Sequence, residues 1–232
     1  MKLAICISGH FRDYETKIQT LFDNVLINHD YDIFVHSWDN HGFSYQGVCR
    51  DLYLKDGFKK DSPELNIEAV LEKLKPKKYI FETYSDVENQ IKEEASYFTR
   101  INPWENPEVT LSLQRKIYLC DRLRYDFEIE TNTKYDAVIR TRPDLLFTRR
   151  INIQDYDLNY ISMPEEESYT TASDTFAFAN PKLMTQYSSL YCNMKEIYHN
   201  TTRTFNPHCM LYEHLNQNKL NYKLLPMGIV IR

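Results

Sequence analysis

An α/β fold with a mostly parallel central sheet flanked by helices is what this sequence predicts, on three observations. Short apolar runs read as buried strands near residues 3–7, 32–36, 78–82 and 135–139. Between them lie segments whose apolar residues recur at helical spacing. Strand and helix alternate through the first two thirds of the chain, the signature of β-α-β units and parallel pairing. At 232 residues the chain fits one large domain, or one domain with a small appended lobe.

The opening run, residues 3–7, ends at Ser8-Gly9 and reads as a first strand and a turn. Ile18, Leu21, Phe22, Val25 and Leu26 then place an amphipathic helix over 14–29. Asp32-Ile-Phe-Val-His36 is the second strand, and the polar, glycine-bearing segment 39–63 reads as a long loop placed to cover a site. A helix over 66–75 starts at Asn66 as cap and stops at Pro76. Lys78-Tyr-Ile-Phe-Glu82 is the third strand, segment 85–98 is acidic and helix-permissive, and the two prolines of 102–107 break the chain. Leu113, Ile117, Cys120, Leu123 and Phe127 form one stripe of a helix over 110–130, with Arg115 and Arg122 on a neighbouring face. A fourth strand over 135–139 runs into Arg140-Thr-Arg-Pro-Asp144. Strands at 160–163, 175–178 and 222–225 and helices at 181–199 and 207–218 complete the reading.

Composition excludes several classes. Net charge is −5, from 28 basic and 33 acidic residues, so no general electrostatic drive toward nucleic acid or an anionic membrane exists. An anionic ligand must be held by a local basic cluster. The five cysteines are scattered without a CxxC pair, which argues against a zinc ribbon or a disulfide framework and for a reducing compartment. The first apolar run is too short for a signal peptide, and no stretch reaches the roughly 20 apolar residues of a membrane span. The expectation is a cytoplasmic protein, at most peripherally docked to a membrane.

Ligands of open α/β sheets bind beyond the carboxyl ends of the strands, and three strand ends here carry polar groups. After the first come Ser8, Gly9 and Arg12: a turn where backbone approaches a ligand, and a cation opening a helix whose free N–H groups suit phosphate. After the second come His36 and Trp38, which either stack on a base or sugar or pack beneath the following loop. The third end, Arg140 and Arg142, is the strongest signal. Guanidiniums suit a diphosphate through planar bidentate hydrogen bonds, and Asp144 beside them is a candidate for a divalent metal bridging the same phosphates. The alternative there is an Arg–Asp salt bridge. Asp174, just ahead of a strand, is a candidate general base or acceptor contact, or a turn residue. Arg115 and His214, the latter on the last helix, join the substrate-binding candidates, and an orienting or structural role is the alternative for His214. His208 stands nearby without a zincin spacing, so metal binding there has little support.

These segments together resemble a family of glycosyltransferases found in polysaccharide gene clusters and large DNA viruses. The resemblance runs through Ile7-Ser-Gly-His-Phe-Arg12, Tyr31-Asp-Ile-Phe-Val-His-Ser-Trp38, Pro76-Lys-Lys-Tyr-Ile-Phe-Glu82, Tyr135-Asp-Ala-Val-Ile-Arg-Thr-Arg-Pro-Asp-Leu-Leu-Phe147 and Ser173-Asp-Thr-Phe-Ala-Phe-Ala-Asn180. It implies a single Rossmann-like GT-A domain over 1–232, with 1–150 binding a nucleotide sugar and 151–232 serving the acceptor. The implied activity is hexosyl or pentosyl transfer from a nucleoside diphosphate sugar to a hydroxyl of a glycan or glycoconjugate, in the host's cytoplasm if the source is a virus. Many GT-A enzymes hold Mn²⁺ or Mg²⁺ with an Asp-x-Asp motif. Here the matching place reads Arg140-Thr-Arg142, with only Asp144 acidic. Two alternatives follow: Asp144 holds the metal with water ligands, or the arginines neutralise the diphosphate without one. Competing readings are a nucleotidyltransferase, disfavoured by the glycine-poor first loop, and a non-catalytic nucleotide- or sugar-binding module.

Overall fold

The computed structural model describes residues 1–42, 62–102, 105–165 and 171–230. Among these the strands are β1 (Lys2–Ser8), β2 (Asp30–Trp38), β3 (Lys78–Glu82), β4 (Ala137–Thr141), β5 (Leu146–Phe147), β6 (Ile161–Pro164), β7 (Phe176–Ala179), β8 (Tyr222–Leu225) and β9 (Ile229–Val230). The helices are α1 (Tyr14–Leu21), α2 (Ile67–Leu74), α3 (Tyr84–Ala95), α4 (Pro107–Thr131), α5 (Pro181–Ser188), α6 (Leu190–His199) and α7 (Pro207–Gln217). Seven strands form one sheet in the order β3-β2-β1-β4-β7-β6-β8. Pairing is parallel except where β7 runs against β4 and β6. A mostly parallel sheet between helical layers is a Rossmann-like arrangement, as the alternation of strand and helix predicts. No helix of the described residues is long and apolar enough to cross a membrane.

Side-chain alternation along the strands divides the core in two. Leu3, Ile5 and Ile7 of β1, Ile33 and Val35 of β2, and Phe176 and Phe178 of β7 face one side, where they pack with Ile18 and Leu21 of α1 and Val70 and Leu74 of α2. Ala4 and Cys6, Phe34 and Trp38, and Ala177 and Ala179 face the other side, with Ile117 and Cys120 of α4 and Tyr187 of α5. Small residues dominate the β1 and β7 contributions to this second face, so α4 lies close over the sheet.

Helix starts follow local chemistry. Asn66, Asn106, Asn180 and Asn206 each cap a helix by accepting a backbone N–H, and the last three are followed by proline at the first helical position. Several boundaries differ from expectation. The helix expected over 14–29 is α-helical to Leu21 and continues as a π-helical turn, Phe22–Leu26. The helix expected over 181–199 divides at Ser189 into α5 and α6. The fourth strand starts and ends two residues late, so Arg140 stands inside β4. The small β5–β9 pair was not expected, because two-residue strands carry no periodicity. Of the long loop expected over 39–63, residues 43–61 lie outside the described residues.

Candidate functional site

From β1 the chain builds β2 and β3 on one side, then returns to place β4 on the other. The gap beyond the carboxyl ends of β1 and β4 is therefore a topological switch point, where open α/β sheets take their ligands. A cavity of about 200 Å³ lies there. Gly9, His10 and Arg12 enter it from the turn after β1, Trp38 from the end of β2, Arg142 from just past β4, and Asp174 from just ahead of β7. Its remaining wall is helical: Val109, Ser112, Leu113 and Lys116 of α4, with Pro207 and His208 of α7. Both helices present their N-terminal portions to the cavity, adding partial positive charge to that of the side chains.

Gly9 holds φ at +109°, yet a Cβ added there would meet nothing within 4 Å. The glycine thus serves the left-handed turn that carries the chain across the cavity mouth. His10 packs on Gly42, whose added Cβ would stand 2.4 Å from the imidazole. Burial, and then the charges of Arg12, Lys116 and Arg142, hold the His10 pKa well below its usual value despite a contact with the Asn40 carbonyl, so the ring is neutral.

Two buried polar groups of the wall have no hydrogen bond among the described residues. Ser112, 1% exposed, has an unbonded Oγ. Asp174, 3% exposed, accepts no hydrogen bond, while the flanking Ser173 and Thr175 hydroxyls bond each other at 2.8 Å. Lys116 is the opposite case. Its Nζ donates to the Ser37 carbonyl at 2.8 Å and to Glu82 Oε2 at 2.6 Å, and stands 3.5 Å from the centre of the Trp38 ring. Burial pulls its pKa down to about 7, even though Glu82 favours the charged form.

The remaining sequence candidates, Ser8, His36, Arg115, Arg140, Asp144 and His214, are not among the lining residues. Arg142 grips Asp144 through Nε–Oδ1 at 2.8 Å and Nη2–Oδ2 at 2.6 Å, so both carboxylate oxygens of Asp144 face a guanidinium. Arg140 is buried within β4, beside Cys6 of β1 and Ala177 of β7, whose small side chains leave room for it. It donates to the Thr175 carbonyl, while its Nε and Nη2 have no partner among the described residues. Burial lowers its pKa, with the Tyr187 hydroxyl and Asp174 opposing. Arg115 forks onto both oxygens of Glu82 at 2.5 and 2.9 Å. His36 lies under Lys116, and burial followed by the Lys116 charge takes its pKa down to about 3. Ser8 is buried, and its Oγ has no partner among the described residues. His214, a substrate-binding candidate from sequence, is not brought to the cavity: it ties α7 to α5 through Nε2 and the Gln186 carbonyl at 2.7 Å.

For a divalent metal the donor set is poor. Among the described residues no three His, Cys, Asp or Glu side chains converge. Both oxygens of Asp144 are engaged by Arg142, and the carboxylate on the cavity wall, Asp174, shares it with Arg12, Lys116 and Arg142.

Sequence reasoning did not select His10, Ser112, Lys116 or His208 as ligand contacts. A usable signal was present on α4, since Val109, Ser112, Leu113 and Lys116 repeat at i, i+3, i+4 and i+7. That face holds a serine and a lysine where a buried helix face is expected to be apolar. Comparison of the chain with protein-family models and with curated proteins finds no match to either.

Proposed function

We propose that the chain is a GT-A-type glycosyltransferase that moves a sugar from a nucleoside diphosphate sugar to a hydroxyl of a glycan or glycoconjugate. One observation supports this reading: a cavity at the switch point is lined by Arg12 and Arg142 together with Asp174, a buried carboxylate that has no hydrogen bond among the described residues. A site built for anion binding alone has little use for such a carboxylate. A transferase needs both signs of charge, one for the departing diphosphate and one for the incoming hydroxyl.

The steps follow from these groups. The diphosphate lies against Arg12 and Arg142, with Asp144 fixing the fork of Arg142. Asp174 accepts the proton of the acceptor hydroxyl as its oxygen bonds to the anomeric carbon. The bond from that carbon to the diphosphate oxygen breaks, and the electron pair leaves on the diphosphate. Fixed guanidiniums stabilise that developing charge without reorganising. This assigns a single inverting displacement. At about 200 Å³ the cavity encloses the reacting end of a donor, since pockets enclosing a whole ligand measure about 300–1,000 Å³. Because the donor set suits a divalent metal poorly, charge neutralisation is assigned to the arginines.

A thermal-shift panel of UDP-, GDP-, dTDP- and CMP-sugars, each with and without Mn²⁺, tests donor binding. At least one nucleotide sugar is expected to stabilise the protein without metal. Stabilisation by none would remove the reading, and a strict Mn²⁺ requirement would remove the metal-free assignment. Asp174→Asn is expected to keep that stabilisation and to lower transfer by roughly 10²–10⁴-fold. Transfer at the native rate would exclude Asp174 as the base.

A further inference from the structure

Behind the cavity two buried cations share one hydrogen-bonded carboxylate, while Glu94 of α3 acts on Arg115 and Asp39 on Lys116 through charge alone. Glu82, at the end of β3, is the carboxylate for two buried cations: Arg115 takes both of its oxygens, and Lys116 shares Oε2. From β2, His36 faces the same cluster as a neutral ring. Asp39, just beyond β2, has its carboxylate engaged by Thr83 Oγ1 at 2.6 Å and by Asn40 Nδ2 at 3.2 Å. On the cavity side, neutral His10 stands with the cationic Arg12 and Arg142, and His208 of α7 shares the wall. Asp174, across the cavity, adds a single negative charge to that side.

We propose that Lys116 binds a phosphoryl oxygen of the ligand, and that the ligand adds a counter-charge beside the carboxylate Lys116 shares with Arg115, so that occupancy of the cavity fixes the lysine in its charged form. The geometry supports it directly. An ammonium has three N–H groups; the Ser37 carbonyl and Glu82 take two of them, and the side chain lines the cavity. Its side chain is 1% exposed and is already held over Trp38, so little conformational entropy is lost when an anion arrives. The empty site has the lysine near the midpoint of its titration, at about 7 against an ordinary 10.5, with burial as the cause. A phosphate beside it opposes burial, and binding therefore takes up a proton above neutral pH. The inference rests on the reading of the cavity as a diphosphate site, and not on sugar transfer.

Inorganic pyrophosphate is the probe. Its Kd is measured by titration calorimetry at pH 6.5 and 8.5 for the native protein, Lys116→Met and Lys116→Arg, so that the probe's own titration cancels between proteins. At pH 6.5 the native protein is expected to bind more tightly than Lys116→Met, and this advantage is expected to shrink about tenfold at pH 8.5 as the unbound lysine loses its charge. Lys116→Arg, whose charge does not titrate, is expected to lose its affinity less steeply than the native protein over the same range. Equal affinity of native and Lys116→Met at pH 6.5, an advantage unchanged between the two pH values, or no binding of pyrophosphate by the native protein would each overturn the proposal. If these binding results hold and no sugar is transferred, the transferase reading fails and the lysine's role stands. Transfer with pyrophosphate binding indifferent to Lys116 would mean the reverse.

Discussion

Replacing Glu82 with glutamine removes the carboxylate that two buried cations share while preserving side-chain shape. The side chains of Arg115 and Lys116 are 12% and 1% exposed, so neither charge passes to water without rearrangement. Removing one partner of a buried ion pair costs about 3–5 kcal/mol, a large part of the roughly 5–15 kcal/mol that stabilises a domain. The two cations differ in how they respond. Arginine keeps its proton, whereas Lys116, with a pKa of about 7, escapes by losing one. Two pH units below that value, the share of the cost due to the charged lysine is capped at about 2.7 kcal/mol, at about 1.36 kcal/mol per unit. Glu82 itself stays ionised at pH 5: burial would raise its pKa, but hydrogen bonds from Arg115 and Lys116 bring it to about 2. Urea denaturation of Glu82→Gln against the native protein is expected to show a loss of about 3–5 kcal/mol at pH 5. At pH 9 the loss is expected to be smaller by up to about 2.7 kcal/mol. A loss under about 1 kcal/mol at pH 5, or the same loss at both pH values, would refute the shared-counter-charge account.

Other outcomes follow from the same geometry. Arg140→Met replaces a buried guanidinium with two nitrogens that have no partner among the described residues, and urea melts are expected to place it within about 1 kcal/mol of the native protein or above it; a loss beyond about 3 kcal/mol would show that its charge is compensated. Gly9→Ala keeps open space around the new methyl but forces alanine to φ +109°, so denaturation is expected to report a loss of about 1–3 kcal/mol. His36 has its pKa held down to about 3 by burial, from an ordinary 6.5. Between those values the unfolded chain binds a proton that the folded protein does not, so stability falls as pH falls through 6.5. At pH 5 this withdraws about 2 kcal/mol relative to pH 7.5, and a stability–pH curve for His36→Phe is expected to be flatter by that amount.

Much of the fold was legible because local periodicity and punctuation agree. Lys78-Tyr-Ile-Phe-Glu82 has strand bounds readable to the residue, and so does the strand over 222–225, since each is a compact run between breakers. Asn66 was recognisable as a cap because asparagine ahead of an amphipathic run has one favourable use there. The division at Ser189 was not legible, because the flanking helical patterns are in phase and no glycine or proline marks the break. At the cavity, Gly9, Arg12, Trp38, Arg142 and Asp174 could be selected from their places at strand ends. Lys116 could not be separated from its neighbour Arg115, although one lines the cavity and the other is locked onto Glu82.

By itself, the sequence determined which segments become strands and helices, and that polar groups gather where strands end, because both depend on spacing over a few residues. Only the tertiary structure decided which charges meet. It paired Arg142 with Asp144, set Arg140 between Cys6 and Ala177 inside the sheet, and left Asp174 on the cavity wall without a hydrogen bond from any described residue. The physical reason is range. Secondary structure responds to neighbours along the chain, whereas a buried charge takes its meaning from groups tens of residues away, brought within a few ångströms by strand order and by the helix laid across it.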